Sequence, residues 1–358
     1  MIKRLGVPGL RIAHVMVTAN FAGVERYVTQ TATELARRGH HVCVIGGSPT
    51  LVPSVLPASV PWHAGSTLRG ALAALRGCGE VDVLHVHMTK AELVGLLASS
   101  RSGRGALVST RHFARKRGSS SLGRAFSVWF NRRVTCQIAI SEFVAAHIET
   151  APDVVLALGT PVSESGYAAT SRRVLMIQRL EREKHTLSGL RAWARSGLQE
   201  EGWTLEVLGD GSQRQHLEEW ARDRGLSSIE FHGWAPDVLA RLSSAAMVLA
   251  PAAAEPFGLS VVEAMAAGVP VLAARAGGHL ETIGAVPEMP SFEPGDVREA
   301  ATVLASLASD PERRRRLSET VRNHQRSRLT VEQHVDGLEN VYHRAVRSLP
   351  GLTPASGV

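Results

Sequence analysis

Residues 250–283 read Ala250-Pro-Ala-Ala-Ala-Glu-Pro-Phe-Gly-Leu-Ser-Val-Val-Glu-Ala-Met-Ala-Ala-Gly-Val-Pro-Val-Leu-Ala-Ala-Arg-Ala-Gly-Gly-His-Leu-Glu-Thr-Ile283. The apolar run just before, Ala245 to Leu249, predicts a buried strand. Pro251 and Pro256 break the chain into a loop, and helix formers run from Leu259 to Ala267. Gly268 and Pro270 end that helix before a second strand at Val269 to Ala273. The helix is apolar on nearly every face, which predicts burial, yet it carries Glu263, and Glu255 stands in the loop ahead of it. A buried carboxylate without a partner is costly, so both acids need one. Between them lie the N–H groups of Gly258, Leu259 and Ser260, at a helix start that favours anions. At ~1.5 Å per residue, Glu263 sits roughly 7 Å along the axis from Gly258. A nucleotide sugar offers a matching series: sugar hydroxyls, diphosphate, ribose hydroxyls. A plainer reading, with Glu255 capping the helix and Glu263 paired with a core arginine, fits the same spacing.

Outward from this stretch, strands and helices alternate along the chain. Strands are expected at Arg11 to Val17, His41 to Ile45, Val81 to Val86, Ala106 to Thr110, Thr135 to Ile140 and Val154 to Leu158. A fresh series begins with Val174 to Gln178, Leu205 to Leu208 and Ile229 to Gly233. Such alternation predicts two α/β, doubly wound parallel sheets, with ligands beyond the carboxyl ends of the strands. With 358 residues the chain is long enough for two domains. The expected division is 1–165, then 166–335, with a terminal helix and tail over 336–358 and a hinge near Gly159 to Gly166. Beyond Pro294 helices are expected at Asp296 to Ala308, at Pro311 to Gln325 with a solvated Arg313 to Arg316, and at Val331 to Val346.

The stretch Glu255-Pro-Phe-Gly-Leu through Glu263-Ala-Met-Ala-Ala-Gly-Val-Pro-Val, followed by Gly277-Gly278, resembles the signature of the GT4 family of retaining glycosyltransferases. The resemblance implies the GT-B fold, two Rossmann-like domains facing across a cleft, the first serving the acceptor and the second the nucleotide-sugar donor. It implies that Glu255 contacts the transferred sugar and Glu263 the ribose, with Phe257, Gly258, Leu259 and Ser260 around the donor. Arg179-Leu-Glu-Arg-Glu-Lys184 resembles the family's Gly-Arg-Leu…Lys pattern, with Gln178 in place of the glycine, and makes Arg179 and Lys184 the cations of the diphosphate. Ala22-Gly23 stands where the family has Gly-Gly, which puts Gly23 beside the ligands. His112, in Ser109-Thr-Arg-His-Phe113, matches a histidine near the transferred sugar. Gly159-Thr-Pro161 departs from the family's Asn-Gly-Val. The implied reaction moves a sugar from a nucleotide diphosphate-sugar to an acceptor hydroxyl with retention, the leaving diphosphate acting as base. Alternatives are another GT-B enzyme, an epimerase or phosphorylase, or a non-catalytic nucleotide-sugar-binding subunit.

The bulk composition bounds partners and compartment. Three cysteines, Cys43, Cys78 and Cys136, are widely spaced, which favours a reducing cytoplasm without a disulfide framework. No apolar run reaches ~18 residues, so no spanning helix is expected. The net charge of +7 asks for an anionic partner. An aromatic content of 5% offers few stacking platforms, so nucleic acid is not expected. From Arg101 to Arg133 there is no Asp or Glu, and Leu122, Phe126, Trp129 and Phe130 recur at helical spacing. This basic amphipathic stretch, 111–133 above all, suggests peripheral contact with an anionic membrane or an anionic acceptor, against the plainer reading of a solvated face. His85 and His87 share a strand face, but no further His or Cys stands at ligand spacing, so no metal or cofactor is expected and the pair should line the cleft or cap the sheet. No Asp-x-Asp pair occurs, which disfavours the metal-dependent fold for this chemistry.

Overall fold

A computed structural model describes residues 9–102, 105–117, 121–235 and 237–349. The chain divides into two compact units, one made of 1–158 with 331–358, the other of 159–330. The first holds the strands β1 (Arg11–Met16), β2 (His41–Gly46), β3 (Trp62–His63), β4 (Val83–His87), β5 (Ala106–Arg111), β6 (Cys136–Ala139) and β7 (Val154–Val155). They form one parallel sheet in the order β3-β2-β1-β4-β5-β6-β7. The helices between them are α1 (Gly23–Arg37), α2 (Leu51–Val55), α3 (Leu68–Gly77), α4 (Met88–Ser102), α5 (Ser121–Asn131) and α6 (Glu142–His147). Sequence reading assigned nothing to 51–77, where α2, β3 and α3 lie; β3 is a two-residue edge strand, too short for any periodic signal.

The second unit has β8 (Arg173–Ile177), β9 (Thr204–Leu208), β10 (Ile229–Gly233), β11 (Met247–Ala250), β12 (Val271–Ala274) and β13 (Ser291–Phe292). Their order is β10-β9-β8-β11-β12-β13, again all parallel. The helices α7 (Thr186–Ser196), α8 (Arg214–Arg222), α9 (Val238–Ser243), α10 (Leu259–Ala266), α11 (His279–Thr282), α12 (Val297–Ser309) and α13 (Pro311–Arg328) pack around it. Buried strands on both faces read as continuous apolar runs, which is why the alternation was legible. In each sheet the winding reverses once, between β1 and β4 in the first and between β8 and β11 in the second. Such a reversal opens a crevice beyond the strand ends.

The structure moves the expected boundaries. Thr160 donates its N–H to the Leu329 carbonyl at 3.0 Å and bridges Thr330, while Gln325 donates to the Thr160 carbonyl at 3.0 Å. The stretch expected to hinge is therefore bound into the second unit. The return to the first unit comes at α14 (Val331–Arg347), which joins α1 through Arg38, paired with Asp336 at 2.7 Å and Glu339 at 2.8 Å. Arg314, expected in solvent, is buried, donating to the Leu307 carbonyl at 2.7 Å and the Ala169 carbonyl at 3.0 Å over the Trp203 ring. Met1 to Pro8 and Pro350 to Val358 lie outside the described residues.

Candidate active site

In the second unit the loops after β8 and β11 leave neighbouring strands at the point of reversal. The loop after β8 makes a single 3-10 turn, Arg182–Lys184, ended by His185 in the left-handed region at φ 53°. Lys184 Nζ meets Glu255 Oε2 at 2.6 Å, with side chains only 13% and 17% exposed. Gln178, at the end of β8, donates its side-chain amide to the Lys184 carbonyl at 3.0 Å and to Thr186 Oγ1 at 2.9 Å. The departure from glycine at 178 thus supplies a clamp on the turn that carries Lys184. Arg179 does not join this pair; it is half exposed and bonded to Glu183 at 2.9 Å.

The start of α10 lies beside Glu255, whose Cγ would stand 3.6 Å from a Cβ on Gly258. Gly258 precedes it at φ 93°, a left-handed turn that admits glycine at least cost. The amides of Val261 and Val262 return to the Gly258 carbonyl at 2.9 and 3.1 Å. The N–H groups of Leu259 and Ser260 come before that first helical bond and carry the positive end of the helix. Phe257 is buried beneath the loop, and Glu263 is buried in the apolar body of the helix. The Gly277-Gly278 pair packs on the same loop: Gly278 donates its N–H to the Glu255 carbonyl at 2.7 Å, and a Cβ there would stand 2.6 Å from Phe257 Cα. His279 follows, buried, its Nδ1 3.2 Å from the Ala274 carbonyl. Burial lowers its pKa, the Lys184 charge adds to that and Glu255 opposes it. Sequence reading passed over His279; its signal was its place directly after the two glycines.

In the first unit, Gly23 is the first residue of α1, and a Cβ added there would meet nothing within 4 Å. Ala22, which replaces a family glycine, gives its N–H to Glu25 Oε2 at 2.8 Å, so the turn is closed by the helix it starts. His112 is buried, its Nε2 3.1 Å from His87 Nδ1; His87 Nε2 in turn lies 3.0 Å from His14 Nδ1. His85 bonds Tyr342 of α14 and Thr110 of β5, each at 2.7 Å. His334 of α14 bonds Tyr27 of α1 at 3.0 Å and the Ala157 carbonyl at 2.7 Å. These rings fill the layer between the sheet and the two helices. Burial lowers the pKa of His14 and His112 to about 3 and of His334 to about 4.

His85 and His87, expected to line the cleft or cap the sheet, are fully buried against Tyr27 of α1 and Tyr342 of α14. The fold also supplies the third ring that spacing did not show. Strand pairing sets His14 of β1 opposite His85, and ligand atoms of His14, His85 and His87 lie within 4.8 Å of one another. Hydrogen bonds already occupy every nitrogen of the three except His14 Nε2.

The basic segment also divides. Arg117 is buried against Glu92 at 2.6 Å and also pairs with Glu149, which Arg111 reaches at 2.7 Å. Burial alone would raise the Glu149 pKa; the bonds from Arg111 and Arg117 bring it down to about 2. Arg115, Lys116, Arg132 and Arg133 remain exposed. Of the helical stripe, Phe130 is buried and Phe126 stacks on it, whereas Trp129 points outward. The side chains of Arg101, Arg104, Leu122 and Arg124 lie outside the described residues.

Residues 163–324 match the family described as Glycosyl transferases group 1, and residues 21–154 match Glycosyltransferase Family 4. The chain belongs to the GT4 family of GT-B glycosyltransferases. Among relatives, a 2-deoxystreptamine glucosyltransferase of Streptomyces kanamyceticus is 36% identical over 112 residues, 30% of this chain and 29% of that protein. A D-inositol 3-phosphate glycosyltransferase of Corynebacterium kroppenstedtii is 33% identical over 197 residues, 52% of this chain and 44% of that one. The chain spans less than half the length of these curated relatives. Among solved structures, Anabaena Alr3699/HepE in complex with UDP-glucose superposes with TM-score 0.78 at 21% identity, covering 94% of this chain and all of that one. At that identity the likeness shows the GT-B fold of the family. Among the described residues no helix is long and apolar enough to cross a membrane.

Proposed function

We propose that the protein transfers a sugar from a nucleotide diphosphate-sugar to an acceptor hydroxyl with retention of configuration. The observation that carries this reading is the Lys184–Glu255 pair at the mouth of α10, where the second sheet reverses its winding. A diphosphate seated on the Leu259 and Ser260 amides would meet Lys184 as its cation, with Arg179 available from the same loop. Charge that develops as the glycosidic bond breaks is then neutralised by groups already in place. Glu263 is assigned to the ribose and Glu255 to the sugar hydroxyls. His112 is assigned to the sugar on the family resemblance alone. Its imidazole is neutral at pH 7, so it acts as a hydrogen-bond partner rather than a cation. The leaving diphosphate serves as the base.

UDP-, GDP- and ADP-sugars in a thermal-shift panel test the donor class, since a bound ligand raises apparent stability. UDP-glucose is the first candidate, because the Anabaena neighbour was solved with it. Anomeric configuration of the product, read by NMR, tests retention. Glu263→Ala should weaken nucleotide binding about 10-fold or more, whereas Glu255→Ala should leave binding within a few-fold and slow transfer. Wild-type activity in both variants would remove the assignment. Donor binding without hydrolysis or transfer across acceptors would favour a non-catalytic subunit.

A second proposal concerns the first unit's surface. Phe113, Val128 and Trp129 are exposed beside Arg115, Lys116, Arg132 and Arg133, and Arg117 ties the 115–117 loop to α5 through Asn131 at 3.0 Å. Apolar side chains ringed by cations suit the headgroup region of an anionic bilayer. Sedimentation with phosphatidylglycerol vesicles, and not with phosphatidylcholine, is the expected result, with Trp129→Ala reducing it several-fold. Equal binding to both vesicles, or to neither, removes this proposal.

A further inference from the structure

We propose that Cys43 and Cys78 form an oxidation site, closing to an intramolecular disulfide in the folded protein. Cys43 lies on β2 and Cys78 caps the C-terminus of α3, 35 residues later. Their sulfurs are 2.9 Å apart, within about 1 Å of the covalent S–S length. Both are reduced and half-buried, at the edge of the same apolar cluster as Leu75 and Ile45. Cys136, on β6, stands four strands away from β2 in the sheet order, roughly 19 Å at the usual strand spacing. It serves as an internal control.

The two sulfurs are not equivalent. The Cys43 thiol donates its hydrogen to the Cys78 sulfur, and this bond together with burial raises the Cys43 pKa. Cys78 is therefore the sulfur that attacks and Cys43 the one that resolves. With a peroxide as oxidant, the Cys78 thiolate attacks one oxygen, giving a sulfenic acid and hydroxide, which takes up the proton Cys78 released. Cys43 sulfur then attacks Cys78 sulfur, the S–S bond forms, and the departing hydroxide leaves as water with the Cys43 proton. Two thiols and one hydrogen peroxide become one disulfide and two waters. The link ties α3 to β2 and restrains the unfolded chain.

The test treats the folded, full-length protein with stoichiometric hydrogen peroxide and counts thiols after denaturation. The count should fall from three to one, with a peptide joining Cys43 to Cys78 and a mass loss of two hydrogens. Cys136→Ser should still lose two thiols, and Cys43→Ser or Cys78→Ser should form no internal link. The oxidised protein should melt several degrees higher. Three surviving thiols, a bond to Cys136 or between molecules, a link that forms only in denaturant, or an unraised melting point would each overturn the proposal.

Discussion

Replacing Lys184 with alanine is expected to lower sugar transfer by about 10²–10³-fold while the protein still folds, in keeping with the several kcal/mol that a preorganised charge supplies to a transition state. Lys184 is largely buried, stands 2.6 Å from Glu255, and is held by the Gln178 clamp on its own carbonyl. Removal takes away the cation of that pair and leaves Glu255 without it. The loss should appear in kcat/KM, with the melting temperature falling by only a few degrees as Glu255 loses its partner. Lys184→Arg should restore part of it, because charge returns in a different shape. Glu255→Gln and Lys184→Ala should combine to less than the product of their separate effects, because each disrupts the same pair. An alanine variant within two-fold of wild type would sink the assignment of Lys184 to the leaving group.

A comparably large effect should follow acidification. At pH 7 buried His14, His112 and His334 are neutral in the folded chain, and largely so when unfolded, so the full stability is present. Below 6.5 the unfolded chain takes up protons that buried His14, His112 and His334 refuse until about pH 3 to 4. Each ring that refuses its proton costs about 1.4 kcal/mol per pH unit across that window. Three such rings would remove about 4 kcal/mol per unit, against a typical total of about 5–15 kcal/mol. Urea midpoints at pH 7 and pH 5 measure this directly. His14→Gln should shallow the slope by about one proton, since one ring no longer titrates. An unchanged midpoint between the two pH values would show that the rings accept protons while folded.

The two cases differ in how far each could be seen beforehand. The device at Glu255 to Glu263 is local: loop, left-handed glycine, helix start and second acid occupy nine consecutive residues, and backbone geometry alone sets their order. Lys184 reaches the first acid from 71 residues away, and only the adjacency of β8 and β11 brings it there. His14 and His87 are 73 residues apart and meet because β1 and β4 pair in parallel. Part of the basic run was hidden for the same reason. Arg117 reads as one more surface cation until Glu92 and Glu149, from other parts of the chain, arrive beside it.

By itself, then, the sequence determined what depends on near neighbours: the alternation of buried strands and helices, the two-sheet α/β class, and the anion-favouring helix start with its flanking acids. Periodicity and turn chemistry act over a few residues, so they can be read along a line. The tertiary structure alone decided which charges are paired, which histidines share a layer, where the units divide and which cysteines touch. Those outcomes depend on strand order and register, and contacts tens of residues apart leave no local pattern in the chain that makes them.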